Sequence, residues 1–167
     1  MDLNFISVMA TEDATQVIFD NLDKTLDLMS ITSPPGTGTF SLTAQLERGQ
    51  IYLIAAEADD ALANRDGLIG VSIESDRPIV VNTGSANGSF HNGGGRDYGI
   101  DQMVGADKIG DEYVFVEGNG ENGWENILIV ADEDNTDVFL DDNPIPITSL
   151  AKAGDYYLIE GDAFSNA

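Results

Sequence analysis

Asp132, Asp134 and Asp137 stand within one short stretch, and Asp141 and Asp142 follow before Asn143-Pro144. Several carboxylates on a turn offer the hard oxygen ligands that calcium prefers. No segment fits the twelve-residue helix-loop-helix calcium pattern. A second reading needs no metal: aspartates at a hairpin turn bind nearby backbone N–H groups as Asx caps. The comparable stretch near the start of the chain holds Thr11, Asp13 and Gln16, so only one acid recurs there. That weighs against a repeated metal site. Ca2+ at Asp132, Asp134 and Asp137 is the one cofactor these residues suggest.

A second group surrounds the glycine run Gly93-Gly94-Gly95, where Arg96, Asp97 and Tyr98 follow directly. Glycines allow the backbone to fold closely around a ligand. Trp124 follows Asn122-Gly123, and with Tyr98, Tyr113 and Tyr156 it offers flat apolar faces with polar edges that stack on sugars or proteins. Ligand-binding candidates are therefore Trp124, Tyr98, Arg96 and Asp97. The alternatives are a plain surface connection for 93–101, core packing for Trp124, and an exposed ion pair of small net energy for Arg96.

Catalytic chemistry finds little support. His91 is the single histidine, and Gly88-Ser89-Phe90-His91 is not the Gly-x-Ser-x-Gly elbow of a serine hydrolase. There is no cysteine, which excludes thiolate zinc sites, cysteine nucleophiles and a disulfide scaffold. A glycosidase needs two carboxyl groups roughly 5–10 Å apart. With 30 Asp and Glu, some pair meets that spacing by chance, and nothing in the sequence selects one. No catalytic residue is assigned.

The elements that must position these groups are strands. Leu3–Met9, Thr15-x-Val17-x-Phe19, Ile51-x-Leu53, Ile69-x-Val71-x-Ile73, Ile79–Val81 and Tyr113–Val116 are short and rich in β-branched or aromatic residues. Turn signals separate them, among them Pro34-Pro35-Gly36, Asp66-Gly67, Asn87-Gly88 and Asn119-Gly120. Only Asp59–Asn64 suggests a helical turn. The polar, glycine-rich stretch from Ser85 to Asp97 reads as a long exposed loop.

The chain also resembles itself. Ile6–Val17 matches Ile127–Val138, each a strand, an acidic turn and Thr-x-Val opening the next strand. Leu46–Ile54 matches Leu150–Ile159, with one extra residue before the glycine. The fold expected is all-β: one domain over 1–167, a β-sandwich of short antiparallel strands built from two related β-meander repeats. Repeat 1 covers about 3–84 and repeat 2 about 110–167. The segment from Leu26 to Phe40 lengthens the first copy as an extended hairpin or added loop. The second copy stops where an element like Asp66–Val81 would begin, so the natural protein is expected to be larger and to continue past Ala167.

Charge narrows the partners. Seven Lys and Arg against 30 Asp and Glu give a net charge of −23. Nucleic acid and anionic lipid both require cationic groups, so neither is an expected partner. At 42% hydrophobic the chain is still able to form a core. No stretch approaches the ~20 apolar residues of a spanning helix. The opening residues lack a basic segment followed by an apolar run, so an exported protein would be represented here by a mature portion.

Several short motifs occur in a fixed order. They are Gly49-x-x-Tyr52; Gly70-x-x-Ile73-x-Ser75-Asp76-x-Pro78-Ile79-x-Val81 with Gly84 after it; Asp101-Gln102-Met103; Gly110-x-x-Tyr113-Val114; and Ala131-x-Glu133-Asp134-x-Thr136-x-Val138. Over most of the chain this set resembles the IgGFc-binding protein N-terminal domain family. The family takes its name from an animal mucosal protein, and its bacterial members are modules of very large secreted or surface proteins, adhesins among them. This acidic, cysteine-free chain is similar to the bacterial kind. The resemblance implies an extracellular or cell-surface binding or scaffold module, with a glycan or protein ligand and neighbouring modules as partners. It does not imply antibody binding, for which no residue motif is known. The alternatives are a carbohydrate-binding module of a secreted enzyme and a secreted hydrolase using paired carboxylates.

Overall fold

The computed structural model describes residues 3–57, 65–88, 97–116, 118, 120 and 125–161. The expected helical turn at Asp59–Asn64 lies outside them. Apart from one 3-10 turn at Ala106–Lys108, the long regular elements are strands, and every ladder is antiparallel. The chain divides into two compact units. The described residues of Met1–Gly88 and Gly95–Val104 form the first, and those of Gly105–Ala167 the second.

The first unit holds seven strands: β1 (Leu3–Ala10), β2 (Thr15–Asp23), β3 (Thr39–Leu46), β4 (Ile51–Glu57), β5 (Ser72–Ser75), β6 (Ile79–Gly88) and β7 (Asp97–Gln102). They make a four-stranded sheet in the order β4-β1-β6-β7 and a three-stranded sheet in the order β3-β2-β5. Alternation explains how the two face one core. In β1, Ile6, Val8 and Ala10 are buried; in β2, Thr15, Val17 and Phe19 are buried while Gln16 and Asp20 are exposed. A bulge between Phe19 and Leu22, with Asn21 at φ 63°, lets both apolar side chains turn inward although they are three apart. Phe19 meets Tyr52 of β4 at 5.6 Å between ring centroids, which joins the two sheets. Ile54, Ala56, Ala44 and Leu46 complete the packing.

The second unit holds β8 (Ile127–Val130), β9 (Thr136–Val138), β10 (Thr148–Leu150) and β11 (Tyr156–Ile159). β8 pairs with β11, and β9 with β10. Its core is small: Ala131, Val138 and Leu150, with Ile129 and Ile147 against them.

The turns in the two units carry the same bonds. Gly49 N–H donates to the Ala10 carbonyl at 2.8 Å, as Gly154 N–H does to Ala131. Both glycines have positive φ, 77° and 89°, where a side chain would be strained. Thr15 Oγ1 donates to the Glu12 carbonyl at 2.8 Å, and Thr136 Oγ1 to Glu133 at 2.8 Å. Ladder register agrees too. Val8 faces Tyr52 and Thr15 faces Leu46; Ile129 faces Tyr157 and Thr136 faces Leu150.

Two expectations need correction. Tyr113–Val116 is not a strand, and its side chains are exposed, because a strand requires a ladder partner and none forms among the described residues. Ser85–Gly88 is not loop: it prolongs β6, and β7 starts at Asp97. The extra residue of the second copy, before the glycine, is Ala151. Lys152 therefore takes the place of Glu47, each donating its N–H to the side chain three residues on, Asp155 and Gln50.

Candidate functional site

The surface best suited to contact a partner is the outer face of the four-stranded sheet. Residues opposite one another in an antiparallel ladder point the same way. Phe5 faces Ala55 on β4 and Gly84 on β6, and Gly84 faces Ile100 on β7. The row turned away from the core thus includes Phe5 and Met9, Ile51 and Leu53, and Tyr98 and Ile100. Ile51 is 62% exposed, Leu53 57%, Tyr98 57% and Ile100 52%. Tyr98 lies over Phe5, with ring centroids 6.4 Å apart and planes 24° from parallel. Antiparallel sheets usually give water a polar face. Here the outer face is mixed: Ser7, Asn82 and Gln102 form a polar row between the rows of Phe5 and Met9, and exposed apolar side chains set among polar ones are the composition of an interaction surface.

Glycine makes the close ladder approach possible. A Cβ built on Gly84 collides with the carbonyl oxygen of Gly99 and lies 2.9 Å from Phe5 Cζ. The β7 edge of this sheet is partly blunted against further strands. Met103 N–H donates inward to Val81, so by alternation the N–H groups of Tyr98, Ile100 and Gln102 point outward. Asp97 Oδ1 accepts from Tyr98 N–H at 2.7 Å and Asp101 Oδ1 from Gln102 N–H at 2.8 Å. Capping edge donors with charged side chains blunts the edge.

The candidate residues separate. Asp97 and Tyr98 both lie on β7, Tyr98 within the apolar row and Asp97 as an edge cap. Arg96 and Trp124 lie outside the described residues, as does His91. Asp134 is clamped to the neighbouring turn before β11: Oδ1 accepts from Ala153 N–H at 3.0 Å and Oδ2 from Lys152 Nζ at 2.8 Å. The hydrogen bond from Lys152, then that from Ala153, holds its carboxyl below the usual carboxylate range. Lys152 is raised in turn by the same hydrogen bond. Asp13 does the matching work, with Oδ1 accepting from Arg48 N–H at 3.1 Å. Asp137 Oδ1 accepts from the Ser149 hydroxyl, and Asp132 is exposed. Among the described residues no three acidic or histidine side chains converge as a metal-binding group. The other carboxyl with a resolved shift, Asp20, is also lowered, first by the Ser41 hydroxyl. A general acid needs the opposite shift.

Ile51, Leu53, Phe5, Met9 and Ile100 were not among the sequence candidates. A signal for them existed: Leu3–Ala10 and Ile51–Ala56 carry apolar residues at both parities, more than one buried face requires.

One family model matches the chain, described as IgGFc binding protein, over residues 2–166. No curated protein and no solved structure matches.

Proposed function

Because this chain belongs to the IgGFc-binding protein family, whose model covers nearly its whole length, we propose that it is a non-catalytic binding module of a large secreted or cell-surface adhesin. The ligand contacted is a protein, met by the outer face of the β4-β1-β6-β7 sheet. The observation that carries this reading is the exposed apolar row of Ile51, Leu53, Tyr98 and Ile100 on a rigid sheet. Protein interfaces centre on apolar and aromatic anchors of this kind, surrounded by polar groups. The charge of −23 keeps crowded copies soluble and apart. No helix among the described residues is long and apolar enough to cross a membrane.

The first probe is the Fc fragment of immunoglobulin G, because the family description names it, together with a panel of secreted proteins and glycans on a sensor surface. The reading expects saturable binding to a protein. The double variant Leu53→Lys/Ile100→Lys should weaken it at least about tenfold, as loss of central anchors does, with the unfolding midpoint retained. Binding confined to glycans that survives the double variant and falls with Tyr98→Ala would favour a carbohydrate-binding module. A protein signal indifferent to the double variant would remove the sheet face from consideration.

A further inference from the structure

We propose that the edge of β8 turned away from β11 is a strand-acceptor site, and that its ligand is an extended segment with the chemistry of Arg77–Thr83: a basic residue, a proline, then a β-branched run. The inference stands apart from the sheet face of the first unit.

Three observations carry it. The first is a precedent inside the same chain. β1 and β8 share ladder register and turn bonds, and β1 has a strand on each side, β4 and β6. β8 has β11 on one side and, among the described residues, no strand on the other. Two-stranded sheets are marginal in water, and a third strand stabilises them.

The second observation is the direction of the backbone donors. Ala131 N–H donates to Asp155 and its carbonyl accepts from Gly154, both toward β11. Alternation then turns the N–H and carbonyl groups of Leu128 and Val130 to the open side. The edge of β7 is capped by two aspartates, whereas Ile127–Val130 contains no polar side chain to cap its own. Leu128 and Val130 are also 47% and 43% exposed. An uncapped apolar edge is a template for strand addition.

The third observation identifies the ligand. Where β6 enters beside β1, Thr11 N–H and Oγ1 both donate to the Pro78 carbonyl, and Arg77 Nη1 donates to the Asp13 carbonyl at 2.5 Å. The corresponding corner beside β8 presents Asp132, Glu133 and Asp134, richer in carboxylates than its counterpart. A segment arriving there with a basic residue ahead of its β-branched run meets complementary charge. In the β1–β6 register, the residue standing for Val81 falls opposite Ile129 and the one standing for Val80 opposite Val130.

The test uses the full chain and a labelled synthetic peptide with the sequence of residues 75–85. Fluorescence anisotropy measures binding, and amide hydrogen exchange locates it. Expected are saturation and protection at Leu128 and Val130. Affinity should fall about tenfold for Leu128→Pro, which removes an outward N–H and leaves the bonds to β11, and also for a peptide with Glu in place of Arg77. If Leu128→Pro fails to fold, exchange on the unaltered chain decides alone. No saturation up to about millimolar peptide, protection at β1 in place of β8, or binding indifferent to both changes would overturn the proposal. Each outcome is separate from any effect of the Leu53/Ile100 variant.

Discussion

Asp13 and Asp134 occupy matching turns and hold them by different electrostatics. Asp13 Oδ1 accepts from Arg48 N–H, and the Arg77 guanidinium donates to its carbonyl, whereas the Asp134 carboxylate takes both a backbone N–H and the Lys152 ammonium. Because the Asp134 carboxyl titrates below its ordinary range, its contribution to stability is present above that range and fades as pH falls through the lowered value. Lys152 is raised, so its contribution is present below the ordinary ammonium range and fades as pH rises through the raised value. Asp134→Asn should therefore flatten both limbs that this pair adds to the curve of unfolding midpoint against pH; superimposable limbs would show the pair to be inert. With both Asp134 oxygens committed, calcium in place of EDTA is expected to leave the midpoint unchanged, and a rise of several degrees would return these aspartates to metal chemistry. A second residue-scale prediction comes from backbone geometry. Ala14 has φ 54°, and its counterpart Asn135 has φ 61°. Asparagine tolerates this left-handed region and alanine does not. Ala14→Asn should stabilise the protein by up to about 1 kcal/mol, measured by denaturant unfolding.

At the scale of elements, the joint between β6 and β7 depends on one missing side chain. Gly84→Ala drives a methyl into the Gly99 carbonyl and the Phe5 ring, so either β7 lifts away or Phe5 moves. A loss of about 1–3 kcal/mol is expected from such overpacking, together with faster hydrogen exchange at Met103, whose N–H is bonded to Val81. Unchanged exchange would mean that the sheet absorbs the methyl elsewhere. β1, β2 and the two acidic turns were readable from the sequence because their signals are local: alternation, a turn, a glycine. β7 was not, since Asp97–Gln102 looks like loop and becomes strand only through a ladder to β6. Tyr113–Val116 failed in the opposite sense. Its residues favour strands, but β propensity expresses packing against neighbours and those residues have no ladder. The outer sheet face was hidden for a related reason. Neither Ile51 nor Ile100 says alone which strand it will lie near, and the patch exists only once β4, β1, β6 and β7 are set side by side.

The whole molecule carries thirty carboxylates and seven cations, and among the described residues the ion pairs are few and exposed. Those of Arg65 with Asp66, Lys108 with Asp107 and Lys152 with Asp134 all leave their side chains at least a third in water. Exposed pairs contribute little, so repulsion among carboxylates is the dominant electrostatic term at neutral pH. Salt screens that repulsion over a Debye length of about 10 Å at 0.1 M. The unfolding midpoint is therefore expected to rise as sodium chloride increases from low concentration to about 0.5 M, most steeply over the first ~0.1 M, where the Debye length shortens fastest. Sodium sulfate compared at equal ionic strength separates screening from strengthened apolar burial, which sulfate promotes and chloride does not. A midpoint that falls with sodium chloride would mean that attractive pairs outweigh the repulsion of a chain with a net charge of −23.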